Sequence, residues 1–233
     1  MKKLLLFIAI ISIIIPSKLF AVDISVGAST WYAWYKPSGG GSVDPALLFG
    51  PALSVKFDDD YNLTFVYYYG EYEYNYGRTS KRHDSDIALN YRLNNFLKVF
   101  GGIKYRKVTA NSNEYSVPPP LVVIYGIKTD SIGPGLGLSA TYPIIRNMYV
   151  IGTGSGLFLV RRSEYDLGFG VNDKRYYHNY GYNFSLGIAY YIEPASTIIN
   201  LGGRYQCFMD RKDTSIKDSF YGITLTATYS FEI

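Results

Sequence analysis

The chain ends in FYGITLTATYSFEI, where Tyr221, Ile223, Leu225, Ala227, Tyr229, Phe231 and Ile233 take every second place and Gly222, Thr224, Thr226, Thr228 and Ser230 fill the places between. Side chains of a β-strand point alternately to its two faces, so one face of this segment is apolar and aromatic and the other small and polar. A helix would mix the two sets around its circumference and bury neither. The same alternation returns in 131–142, where Ile132, Pro134, Leu136, Leu138, Ala140 and Tyr142 oppose Gly133, Gly135, Gly137, Ser139 and Thr141, and in 180–191, where Tyr180, Tyr182, Phe184, Leu186, Ile188 and Tyr190 oppose Gly181, Asn183, Ser185, Gly187 and Ala189. Weaker versions occupy 23–35, 47–57, 62–76, 82–93, 96–109, 148–165 and 197–210. With the closing strand this makes about ten segments, each long enough to cross a hydrocarbon layer at a tilt.

Alternation also describes a soluble β-sandwich, so the choice of solvent rests on the smaller face. A water-exposed sheet would carry long Lys and Glu side chains there. Here that face holds mainly Gly, Ser, Ala and Thr, which suit an interior whose walls approach closely. Tyr142, Tyr149, Tyr180, Tyr190, Tyr221 and Tyr229 lie near the ends of the apolar face, where an aromatic girdle at a membrane interface belongs. A closed, antiparallel, up-and-down transmembrane β-barrel of about ten strands follows, with eight and twelve as neighbouring solutions.

The connections alternate in length. Short ones fall at Asp58-Asp59-Asp60-Tyr61, Asn94-Asn95, 143–147 and Glu193-Pro194-Ala195, all rich in turn formers. Longer ones fall at 36–46, 77–81, 110–130, 167–176 and 211–218. Barrels of the bacterial outer membrane have short periplasmic turns and longer external loops, and a periplasmic amino terminus puts both classes where an even strand number needs them. The longest loop contains Pro118-Pro119-Pro120 before Leu121-Val122-Val123-Ile124, a stiff piece ending in an apolar patch that reads as a surface loop.

The opening MKKLLLFIAIISIIIPSKLFA has a basic start, an apolar run from Leu4 to Ile15, a Pro16 break and Ala21 as the cleavage point. Those are the regions of a secretory signal peptide, and the run is too short for a membrane-spanning helix. The domains are therefore 1–21, the signal peptide, and 22–233, the barrel. The 23 basic and 19 acidic side chains become nearly balanced once Lys2, Lys3 and Lys18 leave with the signal. Nothing then argues for a nucleic-acid partner, which wants a concentrated basic stripe. Cys207 has no partner for an internal disulfide, and the 25 Tyr and 23 Gly mark a β composition with a heavy aromatic load.

On these features the sequence resembles the superfamily of small bacterial outer-membrane β-barrels. The likeness covers the whole mature chain as a pattern, and the ending Tyr229-Ser230-Phe231-Glu232-Ile233 looks like the signal read by the barrel-insertion machinery, with aliphatic Ile233 in place of the usual aromatic residue. It implies residence in the outer membrane, membrane lipid as the surrounding partner, and the insertion machinery as a partner during assembly.

Alternation assigns Lys56, Asp84, Asp86, Asn90, Arg92, Lys98, Lys104, Arg106, Arg162, Glu164, Arg204, Gln206 and Asp210 to the lumen. Pairing Leu93 with Leu97 across the Asn94-Asn95 turn sets Asp86 opposite Lys104 and Asp84 opposite Arg106, predicting inward ion pairs. It also sets Arg92 opposite Lys98, a like-charge pair that needs water or an acid. The lumen-lining charges Asp84, Asp86, Arg92, Lys98, Lys104, Arg106, Arg162 and Arg204 fit either a narrow, weakly selective pore for small polar solutes or a plug that fills a closed barrel.

Other chemistry is weaker. His83-Asp84 and Asp86 invite comparison with the omptins, rim proteases of ten-stranded outer-membrane barrels, but alternation points His83 away from both acids. His178 has no acid nearer than Asp173. No catalytic residue, cofactor or metal site is assigned, and the chain is read as a non-enzyme. A surface-binding module acting through Gly39-Gly40-Gly41, 117–124 and the Tyr72-Tyr74-Tyr76 rim is the alternative. Gly101-Gly102, 133–137 and 152–156 lack the helix and Lys-Ser/Thr of a phosphate loop and are read as lumen glycines. Asp58-Asp59-Asp60 offers too few ligands for a cation and is read as a turn. Cys207 is expected on the lipid side as an inert buried thiol.

Overall fold

A computed structural model describes residues 22–38, 43–74, 78–111, 126–166 and 172–232. The leader 1–21, the Gly39-Gly40-Gly41 stretch, Tyr76, the Pro118 to Ile124 piece and Ile233 lie outside the described residues. Ten strands follow one another: β1 (Asp23–Lys36), β2 (Ala46–Lys56), β3 (Tyr61–Tyr74), β4 (Arg78–Arg92), β5 (Leu97–Asn111), β6 (Gly126–Ile145), β7 (Met148–Asp166), β8 (Asn172–Ile192), β9 (Thr197–Asp210) and β10 (Lys217–Glu232). Each pairs antiparallel with its sequence neighbours, and β1 pairs with β10, so the ring is closed and has no free edge.

The short turns are built by the residues that announce them. Asp58 accepts the backbone N–H groups of Asp60 and Tyr61 at 2.8 and 2.7 Å, and Asn94 accepts those of Phe96 and Leu97 at 2.8 and 2.9 Å. Asn147 and Ser196 supply the left-handed backbone that the other two turns require, at φ 67° and 44°. The remaining aspartates of the acidic turn bind Lys56 and Arg92 rather than one another, at 2.8 and 3.3 Å.

Outward-facing side chains form a wide apolar belt. Leu136 is 72 % exposed and Leu186 64 %, with Leu47, Ile103, Phe184, Ile223 and Leu225 in the same position on other strands. No water-soluble surface holds a continuous belt of this kind, whereas hydrocarbon tails match it. Tyr142, Tyr180, Tyr190, Tyr221 and Tyr229 sit on that outer face; Tyr149 does not, because it pairs with the inward Ala189. Strand lengths depart from expectation at one end of the barrel. β6, β7 and β8 run 20, 19 and 21 residues, against 11 for β2 and 14 for β1 and β3. Their upper parts carry outward charges such as Lys128, Arg162, Glu164 and Lys174, so the apolar alternation fades there while backbone pairing continues.

Glycine placement corrects one reading. Gly133, Gly135 and Gly137 face inward, against the walls that hold Leu159, Leu157 and Phe100, but Gly152, Gly154 and Gly156 face outward. A Cβ on Gly152 would meet outward Leu186 at 3.7 Å, and one on Gly154 would meet outward Phe184 at 3.2 Å. Gly101 is likewise outward, beside Leu136. Glycine thus occurs on the outer face even where a side chain would fit, as at Gly156.

Candidate functional site: a charged and aromatic layer across the lumen

The register of β4 and β5 sets Asp84 opposite Arg106, Asp86 opposite Lys104 and Arg92 opposite Lys98. From that frame the side chains choose partners by reach. Lys104 bonds Asp86 at 3.0 Å and also donates to Asp84, which accepts from Arg82 as well. Arg106 makes no ion pair with a described residue; its guanidinium lies over the Phe208 ring, 4.0 Å from the centroid. The expected Asp84–Arg106 pair is thus replaced by Asp84–Lys104 and Asp84–Arg82, because the diagonal ammonium reaches the carboxylate while the aromatic face holds the guanidinium.

Two contacts cross the bore. Arg82 donates to Gln206 at 2.8 Å and Arg204 donates to Asp86 at 2.7 Å. Strands β4 and β9 stand five places apart in a ring of ten, so these bonds tie opposite walls. Arg204 also donates to Asn183 at 3.1 Å. Arg82 stacks on Phe220 and Trp31 at 3.9 and 5.1 Å, and Arg204 lies 5.1 Å from Trp31 and 5.5 Å from Tyr68. Ser29 bonds the Tyr68 hydroxyl at 2.8 Å. Trp31, Arg82, Asp84, Lys104, Arg106, Gln206 and Phe208 are each 0–2 % exposed, while the Asp86 side chain keeps 32 %.

Below the layer, towards the short turns, Asn90 donates to Asn62 and to Thr64, at 3.1 and 3.3 Å. Arg92 finds its acid in Asp60, and Lys98 lines a vestibule of about 590 Å³ with Lys56, Asp23 and Asp59. The Lys56 ammonium holds the Asp59 carboxyl below the ordinary carboxylate range. At the other end Asp210 caps the loop 211–216 through the Lys212 N–H at 2.7 Å.

Several positions differ from the sequence reading. Arg162 and Glu164 face outward, where they pair with each other, and Arg161 takes the inward place, 4.0 Å from Asp218. The glycines of β7 misled the parity, since the outward side of that strand carries Gly152, Gly154 and Gly156. Arg82, on the same face as Asp84 and Asp86, was legible by alternation and belongs to the layer. Inward Trp31, Tyr68, Tyr72, Phe208 and Phe220 add an aromatic cluster to an inner face that the sequence reads as small and polar. Tyr72 therefore leaves the surface rim and stands in the interior, 2 % exposed. Cys207 keeps its outward parity but does not meet lipid: it is 1 % exposed beside the stacked rings of Tyr182 and Tyr205, and Ser219 donates to its Sγ at 3.7 Å.

Both histidines point out of the barrel. His83 Nδ1 is 2.7 Å from the Tyr67 hydroxyl, and His178 stacks on Phe158. His83 does not converge with Asp84 or Asp86, which lie on the inner face of the same strand.

No family model matches the sequence, and no curated protein is significantly similar to it. Among solved structures the chain is similar to the outer membrane protease OmpT from Escherichia coli, with a TM-score of 0.52 at 11 % identity over 91 % of this chain and 97 % of that one. It is also similar to the translocator domain of the autotransporter NalP from Neisseria meningitidis, with a TM-score of 0.52 at 8 % identity over 99 % of this chain and 95 % of that one. The shared property is the fold, that of outer-membrane β-barrels.

Proposed function

We propose that the protein is an integral outer-membrane barrel, exported by its leader 1–21 and seated by the insertion machinery, whose lumen is sealed and which serves as a passive structural barrel rather than an open pore. The observation that carries this reading is the pair of bonds between opposite walls, Arg82 to Gln206 and Arg204 to Asp86, set among buried aromatic rings. A water-filled channel needs a continuous hydrated path, and side chains bonded from wall to wall among aromatic rings support a filled bore instead. The exposed tyrosines at the strand ends support interfacial girdles, and the outward belt supports lipid as the constant partner. The likeness to OmpT transfers no activity, because the only histidine near the buried acids faces the other way. Reconstitution of the mature chain into a planar bilayer is expected to leave the membrane silent. Reproducible ohmic steps, or passage of a small polar solute into loaded vesicles, would overturn the sealed reading in favour of a narrow pore.

A second reading, surface binding, is supported by the wall that β6, β7 and β8 raise above the short side of the barrel. Its outward face alternates Lys128, Asp130, Arg162, Glu164 and Lys174, a polar surface outside the apolar belt. Capture of a ligand by cells displaying the barrel, lost on neutralising Arg162 and Lys174, tests it.

A further inference from the structure

At the end of the lumen that carries the long connections, beyond the sealing layer, lies a cavity of about 180 Å³ lined by Arg82, Arg106, Arg161, Ser80, Thr129 and Asp218, among others. Three guanidiniums from three separate strands meet one carboxylate there. That carboxylate is already engaged, accepting the Tyr35 hydroxyl at 2.9 Å with Arg161 Nη1 4.0 Å away. Arg82 uses Nη2 for Asp84 and Gln206, while its Nε and Nη1 have no acceptor. Arg106 rests its flat face on Phe208, and its Nε has no acceptor either. Both arginines are 1–2 % exposed. A guanidinium does not shed its proton and its unmet N–H donors are costly to bury, so the free donors of Arg82, whose charge Asp84 already meets, and of Arg106, which has no carboxylate, leave room beside the void for a further acceptor.

We propose that this cavity binds a small tetrahedral oxyanion, inorganic phosphate or a phosphate monoester. Forked guanidinium donors match phosphate oxygens, and a tetrahedral ion offers four acceptors in directions that a planar carboxylate lacks. Ser80 adds a buried hydroxyl, and Thr129, which shares a 3.3 Å bond with Ser163, adds another. The volume admits one such ion with a few waters, each needing about 30 Å³, and excludes a large sugar phosphate. Phe220 supplies an apolar part of the lining, beside which the buried Arg82 and Arg106 charges are screened less than in bulk water. The site requires only this cavity, so it stands or falls independently of whether the barrel conducts.

The test is calorimetric titration of the purified, folded mature chain in a phosphate-free glucoside detergent with inorganic phosphate, at constant ionic strength set by sodium chloride. Saturable binding to one site is expected, weakened at least tenfold in Arg106→Gln and in Arg161→Gln, and unchanged in Arg211→Gln on the exposed loop. Arg161 is a quarter exposed, so Arg161→Gln decides the question if Arg106→Gln fails to show the compact electrophoretic migration of a folded barrel. Methyl phosphate titrated in parallel separates the sources: equal binding marks a monoester, and loss of binding marks the free ion. No saturable heat, or binding unaltered in both arginine variants, overturns the proposal.

Discussion

Asp84→Asn tests the lumen layer at its centre. Asp84 is fully buried and accepts from two cations, Arg82 and Lys104, one on each oxygen, so removing its charge while keeping its size leaves one neutral acceptor for the two and turns an amide NH2 towards the other. Each hydrogen bond to a charged group contributes roughly 1.5–3 kcal/mol, which would place the loss at about 3–6 kcal/mol if both bonds vanished. The structure lowers that figure: Lys104 keeps Asp86 at 3.0 Å, and Arg82 keeps Gln206 at 2.8 Å. The expected destabilisation is therefore about 3 kcal/mol, a factor of roughly a hundred in the unfolding equilibrium. Urea unfolding from lipid vesicles, followed by tryptophan fluorescence, reads it directly. The chain has 2 Trp, Trp31 and Trp34, both on β1, and Trp31 lies in the layer 5.1 Å from the Arg82 guanidinium. Removing the Lys104 charge as well, in Asp84→Asn with Lys104→Met, takes away the cation that Asp84→Asn strands and is expected to recover at least about 1 kcal/mol. A single variant within about 0.5 kcal/mol of the parent, or a double variant worse than the sum of its parts, refutes the coupling.

Gly222→Ala is expected to prevent closure of the ring, because its Cβ would lie 1.9 Å from the Tyr32 carbonyl oxygen on β1; loss of the folded electrophoretic form checks it. Gly156→Leu should be tolerated, since nothing lies within 4 Å of the added Cβ on the lipid face, and normal migration with unchanged stability is the expected result. Cys207 should react with a small maleimide only slowly in the folded barrel, and Tyr182→Ala should accelerate labelling by removing one of its covering rings. In the β2–β3 turn the Lys56 contact lowers the Asp59 pKa, so it stabilises above the unfolded carboxylate value of about 4 and is lost as pH falls through the lower folded value. Side-chain NMR titration should place the Asp59 midpoint below about 4, and a midpoint at or above it removes the contact.

Most of the architecture was written in the periodicity. Alternation in β6, β8 and β10 marks their outward faces, and the Asn94-Asn95 turn sets the register that brings Asp86 to Lys104. Such features are local: a turn residue and a two-residue period determine neighbouring strands. What escaped is of two kinds. On the outer face of β7, at Gly152, Gly154 and Gly156, residue size does not report the side, which is why Arg162 stands outward against the parity read from those glycines. Contacts across the bore were unreadable because no period links β4 to β9; whether Arg106 on β5 meets a carboxylate or the Phe208 ring depends on a wall four strands away. The inward rings were legible by parity, since Phe208 and Phe220 alternate in step with Gln206 and Gly222.

The ties between Arg82 and Gln206 and between Arg204 and Asp86 join residues 124 and 118 positions apart in the chain. An assembling sheet that has laid down β4 and β5 therefore carries ammonium, guanidinium and carboxylate groups whose final companions have yet to arrive. Until β9 takes its place and the seam between first and last strands joins, those groups must stay hydrated. Insertion and drying of the interior thus belong to a single late event, and a half-built cylinder would be a wet one.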